Sequence, residues 1–184
     1  MTEIDRMLAA NEAWLGEFPG DLPTAPARGV AVVACMDSRM PLFGMLGLDV
    51  GDAHVIRNAG GVVTDDTLRS LAISQHLLGT RAVVLVHHTD CGLQKSTDAD
   101  FADLVEQTTG HRPPWEARTF TDVDADVRES MRRIRETPYL LGNEVRGTVY
   151  DVASGRLREI EDPAAPHSSQ DRGGPLPQGQ ESGS

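Results

Sequence analysis

A chain of 184 residues with 17 Lys and Arg against 28 Asp and Glu, a formal charge of −11, does not suit a nucleic-acid or anionic-membrane partner, because both select clustered cations. Apolar residues make up 39%, enough for one well-buried core. No stretch has the length of a membrane span, and Met1 to Asp5 lack the cationic start and apolar run of a secretory signal, so a cytoplasmic location with reduced thiols is expected.

In chain order, Ile4 to Leu15 has the spacing of an amphipathic helix with few apolar anchors, so residues 1–20 are expected to form a helical arm that packs on a partner chain. Gly29 to Cys35 is a continuous apolar run, the mark of a strand buried on both faces of a parallel sheet, and it leaves Cys35 at its carboxyl end. Pro41 to Leu46 reads as a short helix and Ala53 to Ile56 as a second buried strand. Thr64 followed by Asp65 and Asp66 opens the clearest helix, since a hydroxyl cap and two carboxylates suit the positive end of its dipole. Its inner face holds Leu68, Leu71, Ala72 and Leu78, and Gly79 ends it. Ala82 to Val86 is the strongest strand and delivers His87, His88 and Cys91 just past its end. Helices are predicted at Asp100 to Gln107 and at Val123 to Arg135, the second stopped by Pro138. Arg146 to Asp151, a turn at Ser154-Gly155 and Arg156 to Ile160 read as a strand and its pairing strand. Residues 162–184, rich in Pro, Gly, Ser and Gln, are predicted to be a disordered tail. The expected architecture is therefore α/β: one domain over residues 1–161 with a mostly parallel central sheet flanked by helices.

The two cysteines stand in fragments suited to one metal, Cys35-Met36-Asp37-Ser38-Arg39 and His88-Thr89-Asp90-Cys91. Two thiolates and an imidazole are a donor set that zinc selects, and a nearby carboxylate offers a fourth position. Both fragments follow predicted parallel strands, where open α/β sheets place their ligands. A single disulfide is the competing reading, and the missing secretory signal with the polar company of each cysteine weighs against it.

Cys35-x-Asp37-Ser38-Arg39, then Arg57-Asn58-Ala59-Gly60, then His88-Thr89-Asp90-Cys91-Gly92 resemble the β-class carbonic anhydrases, in register from about Val30 to Gly92. The resemblance implies one zinc per chain on Cys35, His88 and Cys91, with Asp37 and Arg39 as a paired switch and catalytic dyad. It further implies hydration of carbon dioxide to bicarbonate by zinc-bound hydroxide, and a homodimer or homotetramer. The plant-like branch carries a glutamine two residues before the Gly-Asp pair, where this chain has Asp49 before Gly51-Asp52, so the smaller branch is the better match.

Asp37 can bind the metal and close its fourth position, or be held off it by a bidentate pair with Arg39. A loop ion pair of little consequence is the plainer reading of those two residues. Related hydrolases of carbonyl sulfide or carbon disulfide share the motif, and a non-catalytic zinc or redox-sensing module is the answer of a different class. Asn58, Gly60 and Gly61 can let backbone approach the pocket, or the glycine pair can simply make a turn, and the resemblance implies a Gly92 amide near the metal. His87 should point away from His88 along the strand, while His54, His76, His111 and His167 have no motif company.

Overall fold

In a computed structural model the described residues are 1–141 and 144–162. Five strands form one sheet in the order β2-β1-β3-β4-β5. They are β1 (Val30–Cys35), β2 (Ala53–Asn58), β3 (Ala82–His88), β4 (Glu144–Tyr150) and β5 (Leu157–Glu159). The first four are mutually parallel, and β5 returns antiparallel to β4 through the expected turn, pairing Tyr150 with Leu157. The tail from residue 163 onward lies outside the described residues, as does His167; Asp162, the first residue of the expected tail, pairs with Arg135.

Strand alternation sends Ala31, Val33, Val83, Leu85, Val145 and Val149 to one face of the sheet. There they meet Leu68 and Leu71 of α3 (Asp65–His76) and Val127, Met131 and Ile134 of α5 (Val123–Glu136). Burying each large α5 side chain contributes about 1.5–3 kcal/mol. The helix lies so close to β4 that a Cβ on Gly147 would sit 2.2 Å from Val127 Cγ1. The other face carries Val32, Ala34, Val86, Met40 and Leu42, the last from the short α2 (Leu42–Leu46).

The caps follow the sequence closely. Thr64 accepts from the Thr67 amide at 3.3 Å, and Asp122 accepts from the amides of Asp124 and Ala125 at 2.9 and 3.1 Å. Helix α4 (Asp98–Thr109) starts two residues before its predicted start because Thr97 and Asp100 form a reciprocal capping box. Helix α3 stops at His76, short of Leu78, and its buried face continues through Ser74 and Gln75 instead. These polar side chains are accommodated because Ser74 Oγ meets His54 Nδ1 at 2.7 Å and Thr80 Oγ1 at 2.8 Å, while Gln75 Oε1 accepts from the Leu141 amide at 2.9 Å. Strand β3 is longer than its apolar run, since pairing of His87 with Val149 and His88 with Tyr150 carries the ladder through both histidines.

Helix α1 (Glu3–Trp14) buries no residue: Ile4, Met7 and Leu8 are all exposed, as are Leu15 and Phe18 just beyond it. The chain leaves β1 for β2 on one side, while β3 pairs on the other. That reversal opens a crevice beyond the carboxyl ends of β1 and β3.

Candidate metal centre

Cys35 ends β1 and His88 ends β3, so the paired parallel strands bring both to the same end of the sheet, one residue out of register, and the turn after His88 swings Cys91 back to join them. Their ligand atoms all lie within 4.8 Å of one another, and the three residues are buried. Both cysteines are free thiols, which removes the disulfide reading. A tetrahedral zinc would hold its two sulfurs roughly 3.8 Å apart at Zn–S distances of about 2.3 Å, so the cluster is of the right size.

The histidine is already oriented. Its Nδ1 meets the Thr89 carbonyl at 2.8 Å, which places the proton on Nδ1, while Nε2 is buried and has no hydrogen-bond partner. A buried imidazole nitrogen without a partner, close to two sulfurs, fits the donor set of a metal ion. Donation from the Cys91 thiol, and then the neighbouring His88 imidazole and the Asp37 amide, outweighs burial and holds Cys35 down to about 4. Cys91 is correspondingly pushed up, first by the Cys35 thiolate and then by burial, although the Leu93 amide donates to it. The pair thus shares one proton, which a metal would displace. Burial opposes the charge on His88, but the Cys35 thiolate beside it leaves its pKa raised overall. The Leu93 amide donates to the Cys91 sulfur, and Cys91 caps the following turn, Gly92–Gln94.

Asp37 and Arg39 are brought to the same place. Asp37 Oδ2 lies 3.7 Å from His88 Nε2. Its carboxylate accepts from Arg39 Nε at 2.9 Å, Nη2 at 2.7 Å and the Arg39 amide at 2.8 Å. The guanidinium holds this carboxyl well below the usual carboxylate range. The pair is bidentate and borders the cluster of Cys35, His88 and Cys91.

Three further residues shape the site, and sequence reasoning had assigned them no role. Arg57 reaches over from β2, donating to the carbonyls of Cys35 at 3.0 Å, Asp37 at 2.6 Å and Met40 at 3.5 Å, and so clips the ligand loop in place. Asp90 accepts from Arg39 Nη1 at 2.9 Å, and Lys95 stands 2.7 Å from its other oxygen. Arg57 and Asp90 both fall inside the quoted motifs, so their positions were visible, but their contacts depend on how the loops turn. Gly61 settles the question of the glycine pair: a Cβ there would lie 2.8 Å from the Cys35 nitrogen, and its φ of +74° favours glycine. His87 is fully buried on the opposite side, bonded through Nε2 to Asp126 Oδ2 at 2.7 Å, and takes no part in the cluster. His54, His76 and His111 also stand apart from it.

A protein-family model described as carbonic anhydrase matches residues 30–157. A protein of Mycobacterium tuberculosis described as beta-carbonic anhydrase 1 is 50% identical over 161 residues, covering 87% of this chain and 99% of that protein. The crystal structure of a carbonic anhydrase from Streptococcus mutans superimposes with a TM-score of 0.84 at 40% identity, over 88% of this chain and 99% of the other. A carbon disulfide hydrolase of Acidithiobacillus thiooxidans is 34% identical and covers 71% of this chain and 76% of its own.

Proposed function

The chain belongs to the β-carbonic anhydrase family, and from that premise we propose that Cys35, His88 and Cys91 hold the zinc ion with which it interconverts carbon dioxide and bicarbonate, Asp37 and Arg39 acting as the catalytic dyad. It is a zinc lyase, a carbonate dehydratase. The greater identity and coverage of the carbonic anhydrase relative favour carbon dioxide over carbon disulfide as substrate. The observation that carries the ligand assignment is the buried, unpartnered Nε2 of His88 beside two free thiols.

Zinc held by this donor set would supply a Lewis acid that lowers the pKa of water, making a nucleophile for carbon dioxide available. The remaining work belongs to the protein. Arg39 keeps the Asp37 carboxylate engaged on both oxygens and so away from a metal that the cluster would hold. Asp37 retains lone pairs on Oδ2 that can accept a hydrogen bond from the attacking water, orienting its oxygen toward the substrate carbon. Arg57 fixes the main chain that carries both Cys35 and Asp37, so that donor and acceptor keep their spacing.

The assembly is a homodimer or homotetramer in the cytoplasm. The exposed Ile4, Met7, Leu8, Leu15 and Phe18 support this, because a second copy would remove that apolar surface from water. Among the described residues no helix is long and apolar enough to cross a membrane. The test of function is stopped-flow carbon dioxide hydration with metal analysis on the same samples. Zinc-loaded protein should contain one zinc per chain and be active, and His88→Ala should lose both properties. Full zinc occupancy in His88→Ala would overturn the ligand set.

A further inference from the structure

Arg39 does not pair with Asp37 alone. One edge of its guanidinium, Nε and Nη2, grips Asp37 at 2.9 and 2.7 Å, while Nη1 donates to Asp90 Oδ2 at 2.9 Å and Nη2 also reaches the Asp90 carbonyl at 3.1 Å. Asp90 offers both groups to one side because its backbone is left-handed, with φ of 57°, a conformation that only Arg118 shares among the described non-glycine residues. Asp tolerates that region better than most residues, but still at some strain, and strained turns persist where the fold has a use for them. Lys95, from the turn after Cys91, is 2.7 Å from the remaining carboxylate oxygen.

The side chains of Arg39 and Asp90 are 44% and 52% exposed, so as a stabilising ion pair the contact is worth little. Its geometric effect is larger. Arg39 is long and flexible, and fixing Nη1 leaves the Nε and Nη2 edge turned toward Asp37 without further loss of rotamer freedom. Asp90 lies between His88 and Cys91, so the same contact ties the β1 loop, which carries the dyad, to the segment that carries two of the three metal donors. We propose that Asp90 is the positioning residue of the dyad, holding Arg39 so that it retains Asp37 and leaves the fourth metal position free. The inference rests on the reading of Asp37 and Arg39 as a switch at a metal held by Cys35, His88 and Cys91.

The test uses full-length protein loaded with cobalt(II) in place of zinc, with azide as probe of the free metal position, followed by visible absorption at one fixed pH. A ligand that binds only one of two states has its apparent Kd raised in proportion as that state is depopulated. Asp90→Gly keeps the carbonyl and relieves the backbone strain, yet removes the acceptor for Nη1. It should weaken azide roughly fivefold and lower kcat by a similar factor with KM little changed, as expected for an exposed charged partner. Asp90→Asn, which tolerates the left-handed turn and keeps an oxygen for Nη1, should stay within about twofold of the parent. Asp90→Ser, whose hydroxyl falls short of Nη1, carries the same expectation as the glycine variant and replaces it if that variant fails to fold. Because Asp90 acts through Arg39, the double change Arg39→Ala with Asp90→Gly should be no worse than Arg39→Ala alone.

Parental azide affinity in both Asp90→Gly and Asp90→Ser overturns the inference, as does full additivity in the double variant. Arg39→Ala separates the two levels of the argument. If it weakens azide and the Asp90 variants do not, only the role of Asp90 is wrong. If Arg39→Ala also binds azide like the parent, the switch reading falls and takes this inference with it.

Discussion

Replacing Arg39 with Ala leaves every proposed metal donor in place and strips two of the three hydrogen bonds that the Asp37 carboxylate accepts, those from Nε and Nη2. Only the main-chain amide at 2.8 Å remains to restrain it. The freed oxygen Oδ2 already lies 3.7 Å from His88 Nε2, and two donors on one tetrahedral zinc are separated by roughly 3.3 Å, so a small side-chain rotation would bring the carboxylate onto the metal. The magnitude follows from the count of bonds lost. Taking each exposed, charge-assisted bond at about tenfold, loss of both shifts the balance toward the closed site by about a hundredfold, and activity should fall by up to that factor. The assay is stopped-flow carbon dioxide hydration near pH 7, with zinc content measured on the same protein. Zinc should stay at one per chain while the rate falls. A parental rate from zinc-replete Arg39→Ala would refute the switch and reduce Asp37 and Arg39 to a loop ion pair.

Gly61→Ala should destabilise the chain by about 3 kcal/mol, since the new Cβ meets backbone rather than a yielding side chain and φ is positive; thermal melting should show a loss on the order of 10 °C, and an unchanged melt would mean that the loop moves aside freely. Hydrogen peroxide should oxidise the two thiols to a Cys35–Cys91 disulfide with release of two waters per peroxide consumed, expelling the metal; a chromophoric chelator and a mass shift of two hydrogens report the event, and peroxide-treated protein that keeps both zinc and activity would contradict it. Acid should loosen β5 first. Arg146 depresses the pKa of Glu159, and Arg158 depresses that of Asp124, so their contribution is full above the unfolded values near pH 4 and is lost as pH falls through the folded ones. Each pair is mostly exposed and worth less than about 1 kcal/mol, so hydrogen exchange at Leu157–Glu159 is the sensitive measurement, and equal protection at pH 5 and pH 3 would count against the argument.

Donor chemistry was legible in the sequence because it depends on residue type and on strand ends. The apolar runs ending at Cys35 and Val86 announce buried parallel strands, and parallel strands place their carboxyl ends together whatever joins them. Alternation along β3 likewise separates His87 from His88 before any coordinate is known. What only the tertiary structure decided is everything that turns on a loop's path. The left-handed turn at Asp90, the reach of Arg57 to three carbonyls, and the Nδ1 contact that frees His88 Nε2 depend on backbone torsions outside regular elements, where no hydrophobic period constrains them. Gly61 lies between these cases. Its residue type advertises a turn, but only the approach of its Cα to the Cys35 backbone reveals that the turn is packed against the end of β1. Periodicity and donor type set the frame of this site, and long-range side-chain contacts to main-chain groups set its aim.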